Sequence, residues 1–252
     1  MLSRTIGAQL YTVREFCDTK ENLEITFQKL KGIGFKSVQV SGIGDIPAAD
    51  VKKAADENGL DIICTHRPWE QYKNDLSGVA KYHKELDCTI AGLGIMPWVK
   101  DITKEMLFEF IENANEITRA LKKEGLSFAY HNHALEFRKL DGKYIMDYLL
   151  EKGEFDLILD VYWLAYAAIN PAEFIRRVGK RARIIHFKDL EIFDNQSRIS
   201  EVMEGNLNWD EIIAACDDAG AEYAFIEQDI CLRDPFDCLK TSYDNLKTKG
   251  FN

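Results

Sequence analysis

Eight short apolar runs, each followed by a stretch of helical periodicity, recur along this chain of 252 residues, and that alternation restricts the fold more than any other feature. The runs are Thr5–Tyr11, Ser37–Val40, Leu60–His66, Cys88–Ile95, the segment through Phe128, Ala129 and Tyr130, Phe155–Asp160, Ala182–Lys188 and Glu222–Gln228. Between them the pattern predicts helices over Asn22–Lys31, Pro47–Asn58, Leu76–Leu86, Thr103–Glu124 and Tyr144–Lys152. Three more open at Asn170-Pro171-Ala172-Glu173, at Asn208-Trp209-Asp210-Glu211 and at Asp234-Pro235, where a capping side chain precedes a helical first turn. In the longest, Leu107, Phe110, Ile111, Ala114, Ile117 and Leu121 keep the helical period and Gly125 stops it. Such a succession predicts an α/β protein, a (β/α)8 TIM barrel forming one domain over residues 1–252. An open doubly wound sheet would carry a glycine-rich phosphate loop after its first strand, where this chain has Thr12-Val13-Arg14-Glu15-Phe16.

In a barrel the functional groups sit at the C-terminal ends of the strands. Strand five runs into His131-Asn132-His133, and the period of two puts both histidines on one face, with Glu136 in the turn beyond. Strand six ends in Asp160, strand seven passes through His186 to Lys188, and strand eight reaches Glu227. A lone His-x-His pair is as readily a satisfied core pair. Carboxylates and imidazoles converging from several strands are different, because burying them uncompensated is costly and a divalent cation satisfies them together. Mixed oxygen and nitrogen donors suit Mn, Co, Zn, Fe or Mg. Without a metal the same groups would form a hydrogen-bonded polar cluster.

Composition excludes other classes. The formal net charge of −10 argues against nucleic acid or an anionic membrane as partner. No apolar stretch is long enough to cross a bilayer, and Arg4, Arg14, Glu15 and Asp18 interrupt any early secretory run. The six cysteines show neither a C-x-x-C pair nor zinc-site spacing and read as reduced thiols, so a cytoplasmic location is expected. The sequence does not fix the oligomeric state; a homo-oligomer is compatible with it.

The segments GAQLYTVRE, AYHNHALEF, LILDVYWLAYAAINP, IIHFKD, EGNLNW and FIEQD together resemble, in order and at barrel spacing, the motifs of the xylose-isomerase-like TIM barrels. Within that superfamily they are most similar to the sugar phosphate isomerase/epimerase branch. The resemblance implies Asp160, His186 and Glu227 as metal ligands. Many relatives carry a glutamate where this chain has His131, so the fourth ligand is either His131 itself or Glu136 folding back, with Glu136 preferred because it frees the histidines for substrate. His133 then matches the residue that handles a substrate proton or hydroxyl, near its ordinary pKa.

The implied activity is a metal-dependent sugar isomerase or epimerase working through an enediolate on a carbohydrate or polyol. Glu227 or Glu136 would serve as base, His133 as its partner, and Lys188 would steady an anionic intermediate or simply pair with a carboxylate. Relatives also include inosose dehydratases, keto-glycoside-processing lyases and a DNA-repair endonuclease family. An inosose-type dehydratase, a keto-glycoside hydratase or lyase, and a sugar-binding barrel without catalysis are therefore the alternatives. Candidate substrate contacts at the remaining strand ends are Gln9, Tyr11, Arg14, Gln39, His66 and Met96-Pro97-Trp98, with Trp69 and Trp163 as apolar walls. The connection Leu190–Leu207 could cover the site, with Gly205 letting backbone approach a ligand. No arginine cluster or glycine-rich helix start for a phosphate is visible, which favours an unphosphorylated substrate.

Overall fold

The computed structural model describes residues 2–97 and 100–252. Its parallel strands are β1 (Ile6–Gln9), β2 (Ser37–Val40), β3 (Asp61–His66), β4 (Ile90–Leu93), β5 (Ser127–His131), β6 (Asp156–Asp160), β7 (Ala182–Phe187) and β8 (Tyr223–Ile226). They close in chain order, β1 pairing with both β2 and β8, into the eight-stranded barrel that the alternation predicts. The helical layer outside includes Lys20–Ile33, Ala48–Asn58, Leu76–Glu85, Lys104–Lys123, Ile145–Lys152, Pro171–Val178, Trp209–Ala219 and Pro235–Lys247. Their starts follow the expected chemistry. Asn170 accepts from the amides of Ala172 and Glu173 ahead of Pro171, and Asn208 accepts from the amide of Glu211.

Strand alternation sorts the side chains into two environments. Outward residues such as Phe128, Tyr130, Leu157 and Phe187 join the large core shared with the helices, while Cys64, Ile90, Ala129, Ile158, Ile184 and Phe225 pack together as a separate cluster. Those six lie at the inward positions of β3 to β8, so they plug the barrel axis. Gly7 makes the plug possible on the β1 side, since a Cβ there would stand 2.3 Å from the Phe225 ring. Two residues further along each strand the inward layer turns polar, and His66, His131, Asp160, His186 and Glu227 occupy it.

Several local structures depart from the sequence reading, among them an extra helix at Trp69–Asn74 and a small hairpin pairing Lys139–Leu140 with Lys143–Tyr144. β1 stops at Gln9, whose side chain accepts from the amide of Tyr11 and starts a helical turn, Leu10–Phe16. A short helix, Val161–Tyr166, follows β6 directly, capped by Asp160, which accepts from the amide of Trp163. The connection after β7 is a β-hairpin with arms Asp189–Phe193 and Gln196–Ser200. Its central residues Asp194 and Asn195 both have positive φ, 51° and 57°, the geometry that suits a two-residue hairpin.

Candidate active site

At the C-terminal mouth of the barrel His131, Asp160, His186 and Glu227 bring one donor atom each to within 4.8 Å of one another, and all are buried. They come from the ends of β5, β6, β7 and β8. The tautomer of His131 is fixed by the backbone: its Nδ1 lies 3.1 Å from the Gly94 carbonyl, which can only accept, so Nδ1 carries the proton. Nε2 therefore presents a bare lone pair, 3.5 Å from Asp160 Oδ2 and 4.0 Å from Glu227 Oε2, and it has no hydrogen-bond partner among the described residues. Protonating the ring would relieve this, but burial and neighbouring His186 hold the His131 pKa down to about 3. A lone pair aimed at two carboxylates is the arrangement a shared cation completes. His186 is held from both sides, with Nδ1 2.9 Å from Glu227 Oε2 and Nε2 2.8 Å from Gln39 Oε1. In the tautomer where Nε2 donates to Gln39, Nδ1 joins the same converging set.

Lys188 is 1% exposed, and its ammonium sits 2.8 Å from Asp160 Oδ2, 2.9 Å from Glu227 Oε2 and 2.9 Å from Asp229 Oδ2. Burial opposes its charge, but the three carboxylates outweigh burial and raise its pKa, so it stays protonated. The same balance divides the acids. Burial prevails at Asp160, whose pKa is raised, whereas at Glu227 Lys188 and His186 override burial and hold the carboxyl well below its usual range. Asp229 had no part in the sequence reading, although the period of two from Glu227 points to it. Asn132, fully buried, is a second omission: its side-chain oxygen accepts from the amide of Asp160 and so ties β5 to β6 beside the cluster.

Glu136 does not fold back into this group. It is buried, one carboxylate oxygen accepts from the Tyr130 hydroxyl, and the other accepts from the His133 amide at 2.8 Å. Tyr130 points outward into the helix layer, against Phe110 and Phe155, and it draws Glu136 to that side of the strand. Burial raises the Glu136 pKa to about 7. His133 does reach the mouth, with its ring 5.3 Å from the Trp163 ring, but it departs from the expected near-neutral titration. Burial and adjacent His131 lower its pKa to about 3, so the ring is neutral, and its Nδ1 lacks a partner.

The cluster opens into a cavity of about 1080 Å³, whose lining includes His66, His131, His133, Trp163, Lys188 and Glu227. Tyr11, Arg14, Trp69, Met96 and Pro97 also line it, as expected, whereas Trp98 lies outside the described residues. Among the described residues, buried nitrogens of His66 and Trp163 in the lining have no partner; Gln9 and Gln39, expected as substrate contacts, are fully buried and do not line the cavity, with Gln39 held by His186. The connection after β7 does border the cavity, but through the hairpin residues Ser197, Arg198 and Ile199. Gly205 is used elsewhere: its amide donates to Asp189 Oδ2, and a Cβ there would stand 2.5 Å from that carboxylate. Contrary to the expectation of no arginine cluster, Arg67 and Arg198 join Arg14 in the lining; Arg198 pairs with Glu191, whereas Arg14 meets only the carbonyls of Tyr11 and Asp229 through Nη1 and Arg67 only Gln71 through Nε.

Comparison with known proteins agrees with this architecture. A family model described as xylose isomerase-like TIM barrel matches residues 27–230. No curated protein matches the chain. Among solved structures, a sugar phosphate isomerase/epimerase from Parabacteroides distasonis ATCC 8503 is 24% identical, with 95% of this chain and 96% of that one covered and a TM-score of 0.78. An AP endonuclease of family 2 from Brucella melitensis is 16% identical, covering 93% and 96%, with a TM-score of 0.72. An IOLI protein structure with a zinc atom is 13% identical, covering 98% and 99%, with a TM-score of 0.73. At these identities the likeness is one of fold.

Proposed function

Because the chain belongs to the xylose isomerase-like TIM barrel family, we propose that its barrel mouth binds a divalent cation and isomerises or epimerises a carbohydrate or polyol. The observation that carries this reading is the unpartnered Nε2 of His131, locked in its tautomer by Gly94 and facing Asp160 and Glu227. His131, Asp160, His186 and Glu227 would hold the ion, and their mixed donor set fits Mn, Co, Zn, Fe or Mg. The zinc atom in the similarly folded IOLI structure is in keeping with that. Bound there, a divalent ion supplies Lewis-acid polarisation of a substrate carbonyl.

The protein's own groups account for the rest of the chemistry. The unpartnered nitrogens of His66 and Trp163, which line the cavity, are matched to the hydroxyls of a polyol. Lys188 holds Asp160 and Glu227 in place and adds positive charge where an enediolate would carry negative charge. Neutral His133 opens its unpartnered Nδ1 to the cavity as a hydrogen-bond partner for a substrate hydroxyl, and it would carry a proton once bound substrate raises its low pKa. Glu136, engaged by Tyr130 and the His133 amide, acts by fixing the turn that carries His133. The acidic balance of the chain, −10, disfavours the nuclease chemistry known on this fold.

Metal analysis of the purified protein followed by NMR of candidate keto-sugars in D2O tests the reading. A stoichiometric divalent ion lost on chelation, with ion-dependent deuterium uptake at a sugar carbon, is expected. Inversion at that carbon identifies an epimerase, uptake at its neighbour an isomerase, and loss of water a dehydratase. A protein that retains no divalent ion and exchanges no sugar proton overturns the proposal.

A further inference from the structure

Two cations have a claim on the same pair of oxygens at the barrel mouth. The buried ammonium of Lys188 lies 2.8 Å from Asp160 Oδ2 and 2.9 Å from Glu227 Oε2. Those oxygens also face the bare Nε2 of His131, at 3.5 Å and 4.0 Å. An ion held by His131, Asp160, His186 and Glu227 would therefore share its carboxylates with the ammonium. Positive charges that close repel strongly, because burial removes much of the screening by water. Ion binding is favoured if the ammonium can draw back without losing every partner.

The third carboxylate on Lys188 offers that retreat. Asp229 Oδ2 is 2.9 Å from Nζ with the angles of a hydrogen bond, whereas Asp160 Oδ2, close as it is to the ammonium, has no hydrogen-bond partner among the described residues. Asp229 stands outside the four-donor group. Its side chain is 23% exposed, against 0% for Asp160 and 5% for Glu227, and unlike Asp160 it lines the cavity. The rings of Trp163 and Tyr162, also in the lining, have their centroids 5.4 Å and 5.9 Å from Nζ. Arg14 fixes the backbone of Asp229, its Nη1 donating to the Asp229 carbonyl at 3.1 Å.

We propose that Asp229 is a positioning residue, the carboxylate that keeps hold of Lys188 once Asp160 and Glu227 are given over to a divalent ion. This rests on the metal reading above and deepens it. A buried ammonium without an anion is costly, so Asp229 lowers the cost of parting Lys188 from its two other partners. Held on the cavity side, Lys188 then faces the substrate, where its charge steadies an anionic intermediate.

The test is calorimetric titration of the full-length protein with Mn(II), and with Co(II), Zn(II), Fe(II) and Mg(II) in turn if Mn(II) does not bind. Wild type is compared with Asp229→Asn, Lys188→Met and the variant carrying both. Asp229→Asn should weaken ion binding about tenfold or more, the weight of one hydrogen bond between charged groups. In the Lys188→Met background no ammonium has to be held, and the same substitution should change affinity by about twofold at most. Asp229→Glu, which keeps the carboxylate, should bind closer to wild type than Asp229→Asn does. Equal losses in both backgrounds would make Asp229 a plain negative charge near the ion and overturn the inference, leaving the metal reading intact. A crystal structure of the ion-loaded wild type decides the matter even if a variant fails to fold. Nζ of Lys188 should keep Asp229 Oδ2 and move out of hydrogen-bonding distance of Asp160 Oδ2 and Glu227 Oε2. An ammonium still against both oxygens, or parted from Asp229, overturns the inference. Wild type that takes up none of these ions overturns it together with the metal reading.

Discussion

At the scale of single residues, His131 and Glu136 end on opposite sides of one segment. His131 and Glu136 were both open as the fourth ligand, and the outward Tyr130 hydroxyl separates them by taking a Glu136 oxygen. His131→Ala should therefore weaken divalent-ion binding more than Glu136→Gln, as read by equilibrium dialysis, and the reverse order would return the ligand to Glu136. Glu136 has a separate signature in stability. Its pKa rises from 4.5 to about 7 on burial, so the folded state holds its proton more tightly than the unfolded state does. That contribution, at most roughly 3 kcal/mol, is fully present below the unfolded pKa and is lost as pH rises through about 7. Unfolding titrations at pH 4.5 and pH 8 should show wild type losing more stability over that interval than Glu136→Gln, which cannot titrate; parallel curves would contradict it. For His133, the Asn substitution keeps hydrogen bonding but cannot accept the proton. Turnover should fall about a hundredfold or more with metal content unchanged, and near-normal turnover would make His133 a positioning residue.

At the scale of elements, the hairpin after β7 is pinned through one side chain. Asp189 is buried and accepts from the amides of Leu190, Met203, Gly205 and Leu207 and from the Trp209 indole at 2.6 Å. Asp189→Ala leaves those donors unpaired, at about 1–3 kcal/mol for each one that stays buried. Hydrogen exchange across residues 189–209 should accelerate while the amides of β5 and β6 keep their protection; unchanged exchange in that segment would show that the loop holds itself. The same element marks the limit of what the sequence discloses. The strands that feed the site were legible because inward Ala129, Ile158, Ile184 and Phe225 are followed two residues on by His131, Asp160, His186 and Glu227. The hairpin was not, because Glu191–Ser200 is mostly polar and Asp194-Asn195 declares a turn only once both φ angles are seen. Glu136 was illegible for a related reason. After His133 the chain leaves the strand, the period of two lapses, and a tertiary partner decides where the carboxylate goes.

At the scale of the whole molecule, the barrel gathers three acids around one buried ammonium at its mouth. The carboxyl groups of Asp160, Glu227 and Asp229 all lie against Lys188, and burial raises the pKa of Asp160 and Asp229. A divalent ion would be shared by the group at the mouth, and because the proposed ligands come from β5, β6, β7 and β8, binding it would tie four strands of the closed sheet together. The unfolded chain has no such convergence, so an ion held there would bind the folded state selectively and its binding energy would become folding stability. At a free concentration about a hundred times the dissociation constant the gain is about 2.7 kcal/mol. For a chain of 252 residues that corresponds to a rise in Tm of roughly 5–10 °C. Thermal unfolding with and without the ion should show the rise, and a chelator should reverse it. In Asp160→Ala or Glu227→Ala the rise should vanish, because each removes a proposed ligand oxygen. A wild-type Tm indifferent to every divalent ion would mean that the mouth balances its charge by some other means, and the cation would have to be abandoned along with the chemistry built on it.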